Sequence, residues 1–218
     1  KLCKEYNLKH FIHLSALGIN DAKDSDYAKS KLEGENNILK NFPLATILRP
    51  SIVYSVDDNF TTNFMTLLNR LPFMPLYYEG KTKFAPIHVT DLVEIIFNIV
   101  EDKSSEKTIE CIGPEILSFK EIILKLLKAI DKNRLLIPLP LAIARMTARF
   151  FEIMPKPLIT VDQINLLKYD NIPSGLYKTN FELDIKAKKF FDEELKKYSF
   201  NWRVGGQYSR DKTSSLNQ

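Results

Sequence analysis

Apolar residues in this chain fall into short continuous runs and into stripes at helical spacing, and the alternation of the two predicts a mixed α/β fold. Residues 11–18, from Phe11 to Gly18, read as a short buried strand that stops in a turn of small residues. Residues 45–54, from Ala45 to Tyr54, read as a second strand. Between them the pattern is helical from about Tyr27 to Lys40, with Leu32, Ile38 and Leu39 on its apolar side. Ser25 or Asp26 is placed to cap this helix, and Asn41, Phe42 and Pro43 stop it. Strand, helix and strand make one βαβ unit of a parallel sheet. Ligands of such sheets sit at the carboxyl ends of the strands, where Ser15, Pro50 and Ser51 fall.

Further along, Phe64, Leu67, Leu68 and Leu71 recur at helical spacing within a helix over 60–70, which Pro72 and Pro75 end. Residues 79–82 read as a turn between extended pieces at 75–78 and 83–89. Three capping boxes are predicted. Thr90 or Asp91 with Glu94 opens a buried helix through Val100, Ser118 with Glu121 opens one to about Asp131, and Thr160 with Gln163 opens one through Lys168. Residues 107–112 alternate as a strand and break at Gly113 and Pro114. A mixed-charge helix is expected from Lys186 to Tyr198, with Phe190, Phe191 and Leu195 inward. Beyond Trp202 the chain has the character of an extended tail, and from Arg210 the composition of disorder.

Residues 140–154 stand apart, because Arg145, Arg149 and Glu152 form one polar stripe on a helix that is otherwise apolar. Two readings stay open: a core helix of a small domain, or a helix resting on a membrane surface or a partner subunit.

Composition narrows the function classes. The 218 residues are 44% hydrophobic, enough for a sizeable core, and the net charge of +4 comes from lysines dispersed among acidic residues. No basic and aromatic groove is present, so a nucleic-acid partner is not expected. Cys3 and Cys111 are far apart and lack metal-ligand spacing, which fits reduced thiols and no metal site. No apolar run reaches the roughly 18 residues of a spanning helix.

The candidate chemistry lies in the first helix. Tyr27 and Lys31 are four residues apart, so the phenol and the ammonium project from one face. An ammonium beside a phenol favours the phenolate, and such a pair can exchange a proton with a carbonyl or a hydroxyl. A solvated helix face is the plainer alternative. His13 and His10 are read as structural and exposed, respectively.

The ordered set His13-Leu14-Ser15-Ala16-Leu17-Gly18, Tyr27 to Lys31 with Glu33-Gly34-Glu35, Leu48 to Val53, and Pro86 to Asp91 resembles the extended and atypical short-chain dehydrogenase/reductases. More narrowly, residues 159–171 and 205–209 resemble the branch that includes the dehydrogenase-like accessory subunit of respiratory complex I and its bacterial relatives. The resemblance implies the C-terminal half of a Rossmann-type, doubly wound parallel sheet, followed by a smaller, mostly helical C-terminal domain. The implied division is 1–112, with 58–85 contributing to the second-domain side, then 113–200, then a tail at 201–218.

The resemblance also implies site roles. Tyr27 is the general acid/base, Lys31 its partner and the ribose ligand, and Ser15 the hydroxyl that polarises a carbonyl. Pro50, Ser51 and Val53 lie against the nicotinamide, and the cofactor is NADP or NAD. His88 would lie near the hinge, and Lys81 near a substrate phosphate. Ala16 and Leu17 follow Ser15 where the family often carries a second hydroxyl, and Ser55 replaces a usual glycine. The implied function is therefore an NAD(P)-binding scaffold with little or slow turnover. The alternative is an active epimerase, dehydratase or reductase, in quinone-linked or nucleotide-sugar metabolism. The implied partners are the dinucleotide and, through the Arg145 and Arg149 helix, a membrane surface or respiratory-complex subunits. The implied location is cytoplasmic, or peripheral on the inner membrane. No glycine-rich turn precedes Gly18, so the chain is expected to be the C-terminal part of a longer protein.

Overall fold

The computed structural model describes residues 2–102, 106–140, 142–143, 145–146, 149 and 160–206. After a short helix α1, Leu2–Glu5, the chain enters a four-stranded parallel sheet. Its strands are β1 (Phe11–Leu14), β2 (Ala45–Pro50), β7 (Thr108–Cys111) and β10 (Lys178–Thr179), in the order β1-β2-β7-β10. Phe11 pairs with Ala45, Ile47 with Thr108 and Lys178 with Ile109. The continuous apolar run of β2 is explained by its place inside the sheet, where residues 45–49 are all buried.

Helix α2, Asp26–Asn41, connects β1 to β2. Ser25 caps it, its hydroxyl accepting from the Ala28 N–H, and the chain leaves the helix just before Pro43. Two neighbouring residues of β2 show that helices cover both faces. Leu48 packs with Ile95 and Ile99 of helix α4, Val89–Asp102, whereas Arg49 forms a buried bidentate pair with Glu35 of α2. Successive strand residues point to opposite faces, so α2 and α4 sandwich the sheet. This is the doubly wound parallel arrangement expected from the sequence.

The run expected as one strand over 45–54 is two. Pro50 carries no N–H, and after Ser51 the chain leaves β7 so that β3 (Val53–Tyr54) pairs with β6 (Ile87–His88). Helices α3 (Thr61–Arg70) and α5 (Phe119–Ala129) form a second layer around Met65, Leu68, Phe119, Ile122 and Leu126. Strands β4 (Phe73–Tyr77) and β9 (Leu135–Leu139) pair in parallel at its side, and β5 (Lys83–Phe84) pairs antiparallel with β8 (Leu117–Ser118).

The capping boxes at Ser118 and Thr160 form, the second opening α6 (Val161–Leu166). Asp91 does not cap. Its carboxylate accepts the backbone N–H groups of Lys188 and Lys189, at 3.0 and 2.9 Å. Those N–H groups are thereby removed from helix formation, so the helix expected from Lys186 begins only at Phe191, as α7 (Phe191–Lys196). Arg145 and Arg149 are helical and exposed. Glu152, and the tail after Gly206, lie outside the described residues. No described helix is long and apolar enough to cross a membrane.

Candidate functional site

The carboxyl ends of β1 and β2 open into a cleft of about 990 Å³, lined among others by Ser15, Tyr27, Pro50, Ser51 and Val53. Five of the residues singled out from sequence thus meet in one place. Ser15 follows β1 and its N–H donates to the Leu48 carbonyl at 2.7 Å, which extends the sheet by one rung. Its side chain is buried, yet Oγ has no hydrogen-bond partner. A buried hydroxyl left unpaired costs about 1–3 kcal/mol, and here it borders the cleft.

Tyr27 stands in the first turn of α2 and Lys31 one turn later. Lys31 Nζ lies 5.8 Å from the centre of the Tyr27 ring and donates to the Leu14 carbonyl at 3.4 Å. The two groups therefore share a face, and that face looks at the end of β1. Their electrostatics differ from the sequence expectation. Burial raises the Tyr27 pKa above the usual phenol value, because the phenolate would be poorly solvated there.

Ser51 is committed to the protein. Its hydroxyl donates toward the Asn171 side-chain oxygen at 2.6 Å and accepts the Ala85 N–H at 3.1 Å. Asn171 also donates from Nδ2 to the Leu17 carbonyl at 2.7 Å, so one side chain ties the end of β2 to the turn after β1. Gly18 completes that turn with φ +76°, a conformation that suits glycine.

His88 and Lys81 do not line this cleft. The His88 ring sits edge-on to Tyr54, bonds Thr90 through Nδ1 at 2.7 Å and lies 3.9 Å from Glu194, with its pKa lowered chiefly by burial. Lys81 pairs with Glu79 and is exposed. His13 is likewise outside; its Nε2 is buried without a partner, and burial followed by the Lys31 charge lowers its pKa.

Two positioning residues were not anticipated in these roles. One is Asn171. The other is Asp162, whose carboxylate accepts from Ser25 Oγ at 3.1 Å, the Asp26 N–H at 2.8 Å and the Tyr27 N–H at 3.2 Å. A carboxylate at a helix N-terminus is favourable, and this one comes from 135 residues further along the chain. The segment resembling the complex I branch is thus the part that clamps the Tyr27 helix. Together, a phenol, an unpaired hydroxyl and a neighbouring ammonium can hold and polarise a carbonyl or hydroxyl presented from the cleft.

Comparison with known proteins bears on the fold and on the sequence. Residues 23–114 match the family model described as the RmlD substrate binding domain. The chain is 27% identical over 217 residues to the Arabidopsis thaliana NADH dehydrogenase (ubiquinone) 1 alpha subcomplex subunit 9, mitochondrial, covering 94% of this chain and 54% of that protein. It is 30% identical over 118 residues to the protein of the same name from Dictyostelium discoideum, covering 54% of this chain and 33% of that protein. The chain thus spans about half or less of the length of these relatives. Among solved structures, a dTDP-glucose 4,6-dehydratase from Bacillus anthracis in complex with NAD superposes with a TM-score of 0.61 at 15% identity, covering 92% of this chain and 63% of that one. In sequence the chain is similar to the complex I subunit, and in fold it is similar to the NAD-bound dehydratase.

Proposed function

We propose that the protein is a nicotinamide-dinucleotide-binding scaffold of the complex I accessory type, with slow redox turnover or none. The observation that carries this reading is the convergence of Tyr27, Lys31 and Ser15 on the ends of two parallel strands, where such sheets bind nucleotides. Lys31 would exchange the Leu14 carbonyl for ribose hydroxyls, and the backbone and ring of Pro50, with Val53, would lie against the nicotinamide. Ser51, already bonded to Asn171, stiffens that strand end. The bound dinucleotide would supply hydride. The residues described fit the nicotinamide half of the cofactor, and whether it is NADP or NAD follows from residues that read the other half.

Slow turnover is supported by Ala16 and Leu17, which follow Ser15 where the resembled family often carries a second hydroxyl. The exposed Arg145 and Arg149 suit a contact with respiratory-complex subunits or an anionic membrane surface, at the inner membrane or from the cytoplasm. A second reading, an active reductase or epimerase, is favoured by the unpaired Ser15 hydroxyl beside an intact Tyr27 and Lys31 pair.

The test is retention of dinucleotide by the complete natural protein, followed by nicotinamide fluorescence. Lys31→Met should weaken binding about tenfold, the equivalent of one charge-assisted hydrogen bond. Tyr27→Phe should keep the cofactor and abolish any carbonyl reduction. Absence of dinucleotide binding in the wild type would refute the scaffold reading, and brisk turnover lost in Tyr27→Phe would favour the enzyme.

A further inference from the structure

We infer that the cleft takes an uncharged, long-chain amphiphile, its carbonyl or hydroxyl head at Ser15 and Tyr27 and its apolar chain along α3 and β4. This deepens the proposed function, since it names the ligand class of the same site. Two independent features of the lining point to it. The first is an absence of cations: among the described residues lining the cleft there is no Lys, Arg or His, and Asp170 is the one charged side chain. Lys81, the cation closest to a phosphate-binding role by sequence, is paired with Glu79 away from the cleft. A nucleotide sugar would bring a diphosphate into a wall that offers it no counter-charge, and burying an unpaired charge is strongly unfavourable.

The second feature is the wall itself. Phe60, Phe64, Leu67, Leu71, Phe73 and Met74 supply most of the α3 and β4 side of the cleft, where Asn59 and Asn63 are the polar residues. Phe60 and Phe64 pack edge to face at 5.0 Å and Phe64 packs on Phe119 at 5.4 Å, so the aromatic side chains brace one another. At the β1 end of the cleft, Ser15 is 5% exposed and its Oγ is buried without a partner. A cleft with one unsatisfied hydroxyl and a long apolar side matches a ligand with one polar head and a long apolar tail. Each methylene removed from water should tighten binding about fourfold until the wall is covered.

The inference is tested on the complete natural protein by displacement of Nile red with a series from 2-octanone to 2-dodecanone and, separately, with UDP-glucose. Dinucleotide binding is titrated in the same preparation. The expected result is displacement that strengthens with chain length, with none by UDP-glucose. Phe73→Lys should weaken the longest ketone at least about tenfold. Phe73 is half-exposed, so the lysine is compatible with folding; Leu71→Lys, at the end of α3, provides a second variant, and thermal midpoints identify which variants are folded. Displacement by UDP-glucose as strong as by the ketones, no dependence on chain length, or wild-type ketone binding in both folded variants would each overturn the inference. If the dinucleotide binds and the ketones do not, the ligand class is wrong and the scaffold reading stands; if the ketones bind and the dinucleotide does not, the scaffold reading fails alone.

Discussion

Removing the Asp162 carboxylate should loosen the helix that carries Tyr27 and Lys31 without touching either residue. In Asp162→Ala the N–H groups of Asp26 and Tyr27 and the hydroxyl of Ser25 lose a charged acceptor. Loss of a capping acceptor costs about 1 kcal/mol, and loss of a negative charge at a helix N-terminus adds about 0.5 kcal/mol. The site is partly exposed, so water takes over some of the bonding, and Ser25 still accepts from the Ala28 N–H. The net expectation is about 1 kcal/mol of destabilisation, or a midpoint lower by roughly 2–4 °C for a chain of this size. Asp162→Asn keeps an acceptor and should cost about a third of that. Denaturant titration gives the magnitude, and amide exchange gives the place: protection should fall at residues 26–30 more than at the far end of α2. A change below about 0.3 kcal/mol, or loss of protection spread evenly over the molecule, would refute the clamp.

Other consequences follow from the same structure. Glu35→Ala strands the Arg49 guanidinium, which is buried and otherwise rests on the Tyr177 ring at 4.8 Å, and should cost about 3–5 kcal/mol; Glu35→Met with Arg49→Leu should recover most of it, as read by denaturant titration. Gly113→Ala would set a Cβ 1.7 Å from the Pro86 carbonyl oxygen, so the two backbones must separate, and a loss of about 3 kcal/mol or more in the same assay is expected. His13 and His88 both have pKa values lowered by burial, so the folded state binds fewer protons than the unfolded state. Their contribution is full above about pH 6.5 and is lost as pH falls below it. The drop in thermal midpoint between about pH 7.5 and about pH 5.5 should therefore be smaller in the His13→Gln, His88→Gln double variant than in the wild type.

The parts of the fold visible in the sequence are those where local pattern and tertiary place agree. β2 shows as an apolar run because both its faces are covered, and α2, α3 and α5 show their apolar sides at helical spacing. The Thr160 and Gln163 box formed for the same local reason. Asp91 looked like a cap because its spacing to Glu94 fits one, but its partners are the N–H groups of residues 188 and 189, which spacing along the chain cannot reveal. The switch from β2 to β3 and the pairing of β4 with β9 are likewise decided by distant strands. At the site, Tyr27, Lys31 and Ser15 were legible as residue types, while Asp162 and Asn171, which hold them in place from over 130 residues away, were legible only as members of a segment of unassigned role. The Tyr27 pKa rises because the phenol is partly buried, which spacing along a helix does not reveal.

The central claim is that the ends of β1 and β2 receive a nicotinamide opposite Tyr27 and Lys31. A crystal structure of the complete natural protein with bound dinucleotide tests it most directly. The account predicts the nicotinamide against Pro50 and Val53, with Lys31 Nζ moved from the Leu14 carbonyl to the ribose; a dinucleotide bound elsewhere, with Lys31 still on Leu14, would contradict it.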